Sequence, residues 1–151
     1  MSILKIKLLE NFDTNLPLPK YETPQAAGAD LRASFGIGES MVIKPGQRVL
    51  IPTGMAFEIP AGFEVQVRPR SGLSLKTGLM VVNSPGTIDA DYRGEVKIIM
   101  GNLGSADETI VHGDRVAQMV LMPVPQAQFE IVEQLSSTDR GAGGFGSTGK
   151  Q

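Results

Sequence analysis

Phe63, Val65 and Val67 alternate with Glu64, Gln66 and Arg68. That period of two puts apolar side chains on one face of an extended segment and polar ones on the other, which predicts a strand with one face in a core. Short β-rich runs recur at Ile3–Leu8, Arg48–Ile51, Met55–Ile59, Val96–Met100, Arg115–Met122 and Phe129–Val132. Turn chemistry punctuates them, at Pro45-Gly46, Pro60-Ala61-Gly62 and Gly113-Asp114. Only Leu73–Thr77 suits a helical turn. Many short strands separated by turns, with no internal repeat, indicate an all-β domain built as a sandwich, jelly roll or small barrel.

Composition supports short elements, since 18 of the 151 residues are Gly and 10 are Pro. With 41% apolar residues the chain suits a single core. The expected organisation is one β domain over residues 1–135. Residues 136–151, SSTDRGAGGFGSTGKQ, have almost nothing to bury and by themselves form a mobile arm. The chain has no cysteine, which excludes disulfides, thiolate metal sites and a cysteine nucleophile. A formal net charge of −2 leaves no basic surplus for a nucleic-acid polymer, so a nucleotide ligand would be a small one. Lys5, Lys7 and Glu10 interrupt the first apolar stretch, and no run approaches the roughly 18 residues that span a bilayer. A soluble, cytoplasmic protein with no membrane partner is expected. The single histidine, His112, stands between Val111 and Gly113 with no triad or two-histidine metal motif around it, and reads as a solvated turn residue.

Three glycine-rich or acidic segments imitate known ligand loops and fail on context. Gly141 to Gly146 matches G-x-G-x-x-G without the preceding strand and following helix that bring a pyrophosphate to a helix N-terminus. Gly144 to Lys150 has the spacing of a P-loop, but Gln151 stands where Ser or Thr is required. Asp89, Asp91 and Gly94 resemble the opening of a calcium loop, yet Arg93 and Met100 occupy positions where that loop needs oxygen ligands.

Two segments carry more chemistry. PRSGLSLKTG, Pro69 to Gly78, joins an arginine fork, a hydroxyl and flexible glycines directly after the alternating strand. It suits either a phosphate cradle of backbone N–H groups and guanidinium, or a polar loop with a solvated arginine. NSPGTIDADYRGE, Asn83 to Glu95, places a Pro-Gly bend before two carboxylates, an aromatic ring and a β run. The amide of Asn83 and the bend's backbone can read a base edge while a carboxylate deprotonates water; equally, both aspartates can solvate a hairpin. AGADLRA, Ala27 to Ala33, and GDRVAQ, Gly113 to Gln118, are ordinary strand entries taken singly.

Taken in order, AGADLRA, PRSGLSLKTG, NSPGTIDADYRGE, GDRVAQ and DRGAGGFGSTG resemble the five ordered motifs of the homotrimeric dUTPase family, over Ala27 to Gly149. The resemblance implies a distorted jelly-roll, or β-clip, fold with a Gly-rich C-terminal arm that closes over an active site shared between the subunits of a homotrimer. It implies a dUTP diphosphatase that splits dUTP into dUMP and pyrophosphate by water attack on the α-phosphorus, keeping uracil out of DNA and supplying dUMP for dTMP synthesis. Asp89 would be the general base. Arg70, Ser71 and Gly72, with Gln118, would grip the α and β phosphates. Asn83 and the bend at Gly86, Thr87 and Ile88 would hydrogen-bond uracil, Tyr92 would pack on the deoxyribose, and Lys97 would lie at the substrate site. Arg140, Gly146, Ser147 and Thr148 would close on the γ-phosphate while Phe145 stacks on the base. Mg²⁺ would be held mainly by the triphosphate and water, with Asp30 orienting one metal-bound water. A dCTP deaminase on the same scaffold and a non-catalytic nucleotide sensor are the rival readings. The acidic residue of TIDADY and the full fifth motif favour hydrolysis.

Overall fold

The structure is a computed structural model that describes residues 2–144. The expectations for Phe145, Gly146, Ser147 and Thr148 lie outside the described residues. Within them, antiparallel strands dominate: β1 (Lys5–Leu8), β2 (Ala29–Arg32), β3 (Ser40–Ile43), β4 (Arg48–Glu58), β5 (Phe63–Arg68), then the short helix α1 (Ser71–Lys76). β6 (Leu79–Val81), β7 (Gly86–Ile88), β8 (Glu95–Asn102), β9 (Glu108–Val111) and β10 (Arg115–Pro123) follow. They form one sheet in the order β1-β4-β8-β6, a second in the order β2-β10-β5-β7, and a β3-β9 pair. The expected all-β, jelly-roll class is what the chain adopts.

Alternation along β5 is realised as expected: Val65 and Val67 are buried, while Gln66 and Arg68 face outward and bond each other across the shared face. The core between the sheets is apolar, with Leu31, Ile43, Ile51, Val65, Ile98 and Phe57 all at 2% exposure or less. Each such side chain contributes about 1.5–3 kcal/mol by leaving water.

Several local expectations are corrected. Arg48–Ile51 and Met55–Ile59, read as two runs, belong to one strand, because the ladder between β4 and β8 passes the Pro52-Thr53-Gly54 interruption as a bulge. Phe129–Val132 has strand composition but no strand partner among the described residues: Phe129 is 95% and Ile131 101% exposed. Strand propensity is satisfied only where an edge is available to pair with. His112 is not solvated. Its side chain is 11% exposed and its Nε2 lies 3.0 Å from Asp13 Oδ2, because the segment after β1 folds back across the β9–β10 turn.

Sheet order is what matters for function. In β2-β10-β5-β7, the segments AGADLRA, GDRVAQ, the strand leading into PRSGLSLKTG, and the start of TIDADY lie side by side although they are far apart in sequence. Register makes this explicit: Gln118 pairs with Asp30 on one side and with Arg68 on the other, and Val67 pairs with Gly86.

Candidate active site

At one end of this sheet, β5 runs out through Pro69 to Arg70 at the start of α1. No side chain caps that helix, and the first-turn N–H groups at Ser71 and Gly72 have no intrahelical acceptor. Asp30, on β2, holds Arg70 in place: its Oδ1 accepts from Arg70 Nε at 2.7 Å and its Oδ2 from Arg115 Nη1 at 3.1 Å. Arg70 Nη1 also donates to the Arg115 carbonyl, at 3.1 Å. Gln118 closes the group by donating from Nε2 to the Pro69 carbonyl at 2.8 Å. Two guanidiniums, one carboxylate and one amide therefore meet where the chain offers free backbone donors, a composition suited to an anion with several oxygens.

The second group surrounds a cavity of about 410 Å³ lined by Leu50, Thr87, Ile88, Asp89, Tyr92, Glu95, Lys97 and Ile99. β7 carries Thr87 and Ile88 to its edge, and the chain turns at Asp89, whose carbonyl accepts from Tyr92 N–H at 3.1 Å. Tyr92 is pinned by its hydroxyl, which donates to the Glu95 carbonyl at 3.2 Å. Gly94 makes that pose possible, because a Cβ there would strike the Tyr92 hydroxyl and ring. β8 presents Glu95, Lys97 and Ile99 on the face opposite to buried Val96, Ile98 and Met100. Asp89 and Thr87 also line a neighbouring, more polar cavity with Glu64 and Asp91. Asn83 lies exposed in the bend between β6 and β7.

Thus Thr87, Ile88, Asp89, Tyr92 and Lys97 are brought together, whereas Arg70 lines a separate cavity with Asp114 and Arg115. Arg140 stands apart from both, exposed, donating from Nε to the Gly143 carbonyl at 2.8 Å. Arg115, Glu95, Leu50 and Ile99 were missed by the sequence reading. Arg115 lies within GDRVAQ and Glu95 ends NSPGTIDADYRGE, so motif membership was a usable signal; Leu50 and Ile99 meet only as cross-strand partners.

The dUTPase family model matches residues 14–149. The chain belongs to the dUTPase family. Among relatives, it is 58% identical over 146 residues to the deoxyuridine 5'-triphosphate nucleotidohydrolase of Roseobacter denitrificans, covering 97% of this chain and 95% of that one. It is also 58% identical over 147 residues to the Bdellovibrio bacteriovorus protein of the same name, covering 97% and 96%. Among solved structures, the dUTPase of Staphylococcus bacteriophage 80alpha, with dUpNHpp, superimposes with a TM-score of 0.86 at 28% identity, covering 99% of this chain and 100% of that one. A mutant dUTPase of phage phi11 of S. aureus, described with a structural Mg(II) ion, gives 0.77 at 26% identity, covering 89% and 99%.

For this dUTPase, the donor set bears on how a metal ion is held. Among the described residues no group of three or more His, Cys, Asp or Glu could bind one. The cluster suits a cation that arrives on the nucleotide's own phosphates rather than in a protein cage. Both Asp30 oxygens are engaged by guanidiniums, though a carboxylate oxygen keeps a further lone pair for water.

Proposed function

We propose that Asp89 is the general base of dUTP hydrolysis in this chain and that water attacks the α-phosphorus, giving dUMP and pyrophosphate. The observation that carries this assignment is the setting of Asp89. It is exposed at the lip shared by two cavities, and its carboxylate has no ion pair or hydrogen bond among the described residues. It is thus open to a water proton. The water oxygen bonds to the α-phosphorus as the bond to the bridging oxygen breaks; the proton goes to Asp89, and pyrophosphate leaves with the electron pair.

Arg70, Ser71, Gly72 and Gln118 hold the α and β phosphates, with Arg70 steadied by Asp30. Mg²⁺ bound to the triphosphate would supply neutralisation of the phosphate charge. Asp30 would hold one water of that ion on a lone pair the arginines leave free.

Asn83 and the bend at Gly86, Thr87 and Ile88 read uracil. Cytosine exchanges a donor for an acceptor, which leaves buried polar groups unpaired and costs on the order of 10⁴ in rate. Thymine adds a methyl group against a rigid bend. Tyr92 packs on the deoxyribose, where a ribose 2′-hydroxyl would be buried without a partner. Lys97 completes the wall.

Complete sites form between subunits of a homotrimer. Two features support this: the phosphate-binding cluster and the Asp89 cavity are separate in one chain, and Phe129 and Ile131 project an unpaired, strand-forming apolar run into solvent. Residues 136–151 act as the arm that closes a site, Arg140 and the Gly146-Ser147-Thr148 stretch reaching the γ-phosphate and Phe145 the base. The enzyme works in the cytoplasm, alongside the nucleotide pool it clears.

A panel of dUTP, dTTP, dCTP and UTP, with and without Mg²⁺, tests the reading through pyrophosphate and ammonia release. Pyrophosphate from dUTP alone is expected. Ammonia from dCTP, or equal consumption of all four, would overturn it, and the same panel on a chain stopped at Asp139 tests the arm.

A further inference from the structure

The ladder between β4 and β8 slips between Pro52 and Ala56, and the bulge is built around Gly54 at φ +68°. A side chain at Gly54 would collide with the backbone of Phe12, which crosses there. Thr53 mends one side of the break by donating from Oγ1 to the Val96 carbonyl at 2.6 Å. Glu95 mends the other. Its Oε1 accepts from the Gly54 N–H at 2.9 Å and from Asn11 Nδ2 at 2.8 Å. Its second oxygen, Oε2, lies 3.3 Å from Lys97 Nζ.

The two partners differ in exposure, with the Glu95 side chain at 15% and that of Lys97 at 45%. Burial pushes the Glu95 carboxyl up, but the hydrogen bonds from Asn11, the Gly54 N–H and Lys97 outweigh it and hold the group below its ordinary value. A fixed, partly buried carboxylate thus sits beside a half-exposed ammonium on one wall of the cavity that holds Asp89 and Tyr92.

We propose that Glu95 is a positioning residue for the nucleotide, acting through Lys97. This rests on the reading that the cavity takes dUTP. A lysine stem is flexible and its ammonium strongly hydrated, so a free Lys97 would sample solvent. Anchored by one contact, it keeps its remaining N–H donors aimed into the cavity. The slipped ladder therefore has a use: it frees the backbone donor that, with Asn11, locks the carboxylate whose other oxygen sets the lysine.

The test compares the full chain with E95Q, K97A and the double variant in steady-state dUTP hydrolysis, with a thermal melt for each. In E95Q the amide oxygen still accepts from Gly54 and Asn11, while its NH₂ faces Lys97. KM is expected to rise about tenfold with kcat nearly unchanged, the effect of losing one oriented charge-assisted hydrogen bond. K97A should show the same rise, and adding E95Q to K97A should raise KM no further. Equal KM for E95Q and wild type, or an additional rise in the double variant, overturns the proposal. Should E95Q fold poorly, K97A decides, since an unchanged KM there removes the residue through which Glu95 acts. Wild-type turnover in the same series separately decides whether dUTP is the substrate at all.

Discussion

Asp30 binds two guanidiniums at once, Arg70 through Oδ1 at 2.7 Å and Arg115 through Oδ2 at 3.1 Å. The Asp30 and Arg70 side chains are only 20% and 24% exposed, so this pair is less screened than a surface ion pair. Asp30→Ala would leave two neighbouring cations without their shared anion and free Arg70 to swing away from Ser71 and Gly72. The expected result is a folded protein whose KM for dUTP rises roughly tenfold to a hundredfold, measured by initial rates. A wild-type KM would show that Arg70 needs no anchor.

Asp89→Asn keeps size and polarity at an exposed position and removes the proposed proton acceptor. Single-turnover hydrolysis should fall by about 10² to 10⁴, while the melting temperature and the Kd for a non-hydrolysable dUTP analogue stay close to wild type. Turnover within a few fold of wild type would take the role of base away from Asp89.

Gly94→Ala places a methyl group against the Tyr92 hydroxyl and ring. The tyrosine must move, and its hydroxyl loses the Glu95 carbonyl. Since Tyr92 is the residue assigned to the sugar, the ratio of kcat/KM for dUTP over UTP should drop by about tenfold, more than the drop in dUTP turnover alone. An unchanged ratio would separate Tyr92 from sugar discrimination.

Asp13 ties the segment after β1 to His112. Its carboxyl is held below the usual range, first by the Asn15 backbone N–H and then by His112. A depressed folded-state pKa means that its contribution to stability is present above the unfolded value of 3.8 and is lost as pH falls through the folded value. Asp13→Asn should therefore flatten the fall of melting temperature below about pH 4 relative to wild type. His112→Ala should lower the melting temperature at neutral pH by about 2–4 °C, the shift of roughly 1 kcal/mol in a chain of this size.

What the residues alone determined was the family and the local segments that mark it. The alternation from Phe63 to Arg68 specified a strand with a core face because side-chain direction in a strand depends only on position along it. Asp89, Tyr92 and the Arg70 segment were recognisable because each motif is local, its spacing set by one bend or one turn. Tertiary structure decided what depends on pairing. The short strands β2, β6, β7 and β9 carry too few residues to show a period, and they take their register from neighbours. Phe129–Val132 has the composition of a strand but finds no edge among the described residues. The turn residue His112 is partly covered by a segment 99 positions away. Glu95 and Lys97 look like charges on an outer face, and only the bulge at Gly54 and the crossing of Asn11 give that carboxylate its partners. Contacts between distant segments come from how sheets stack, which no local pattern encodes.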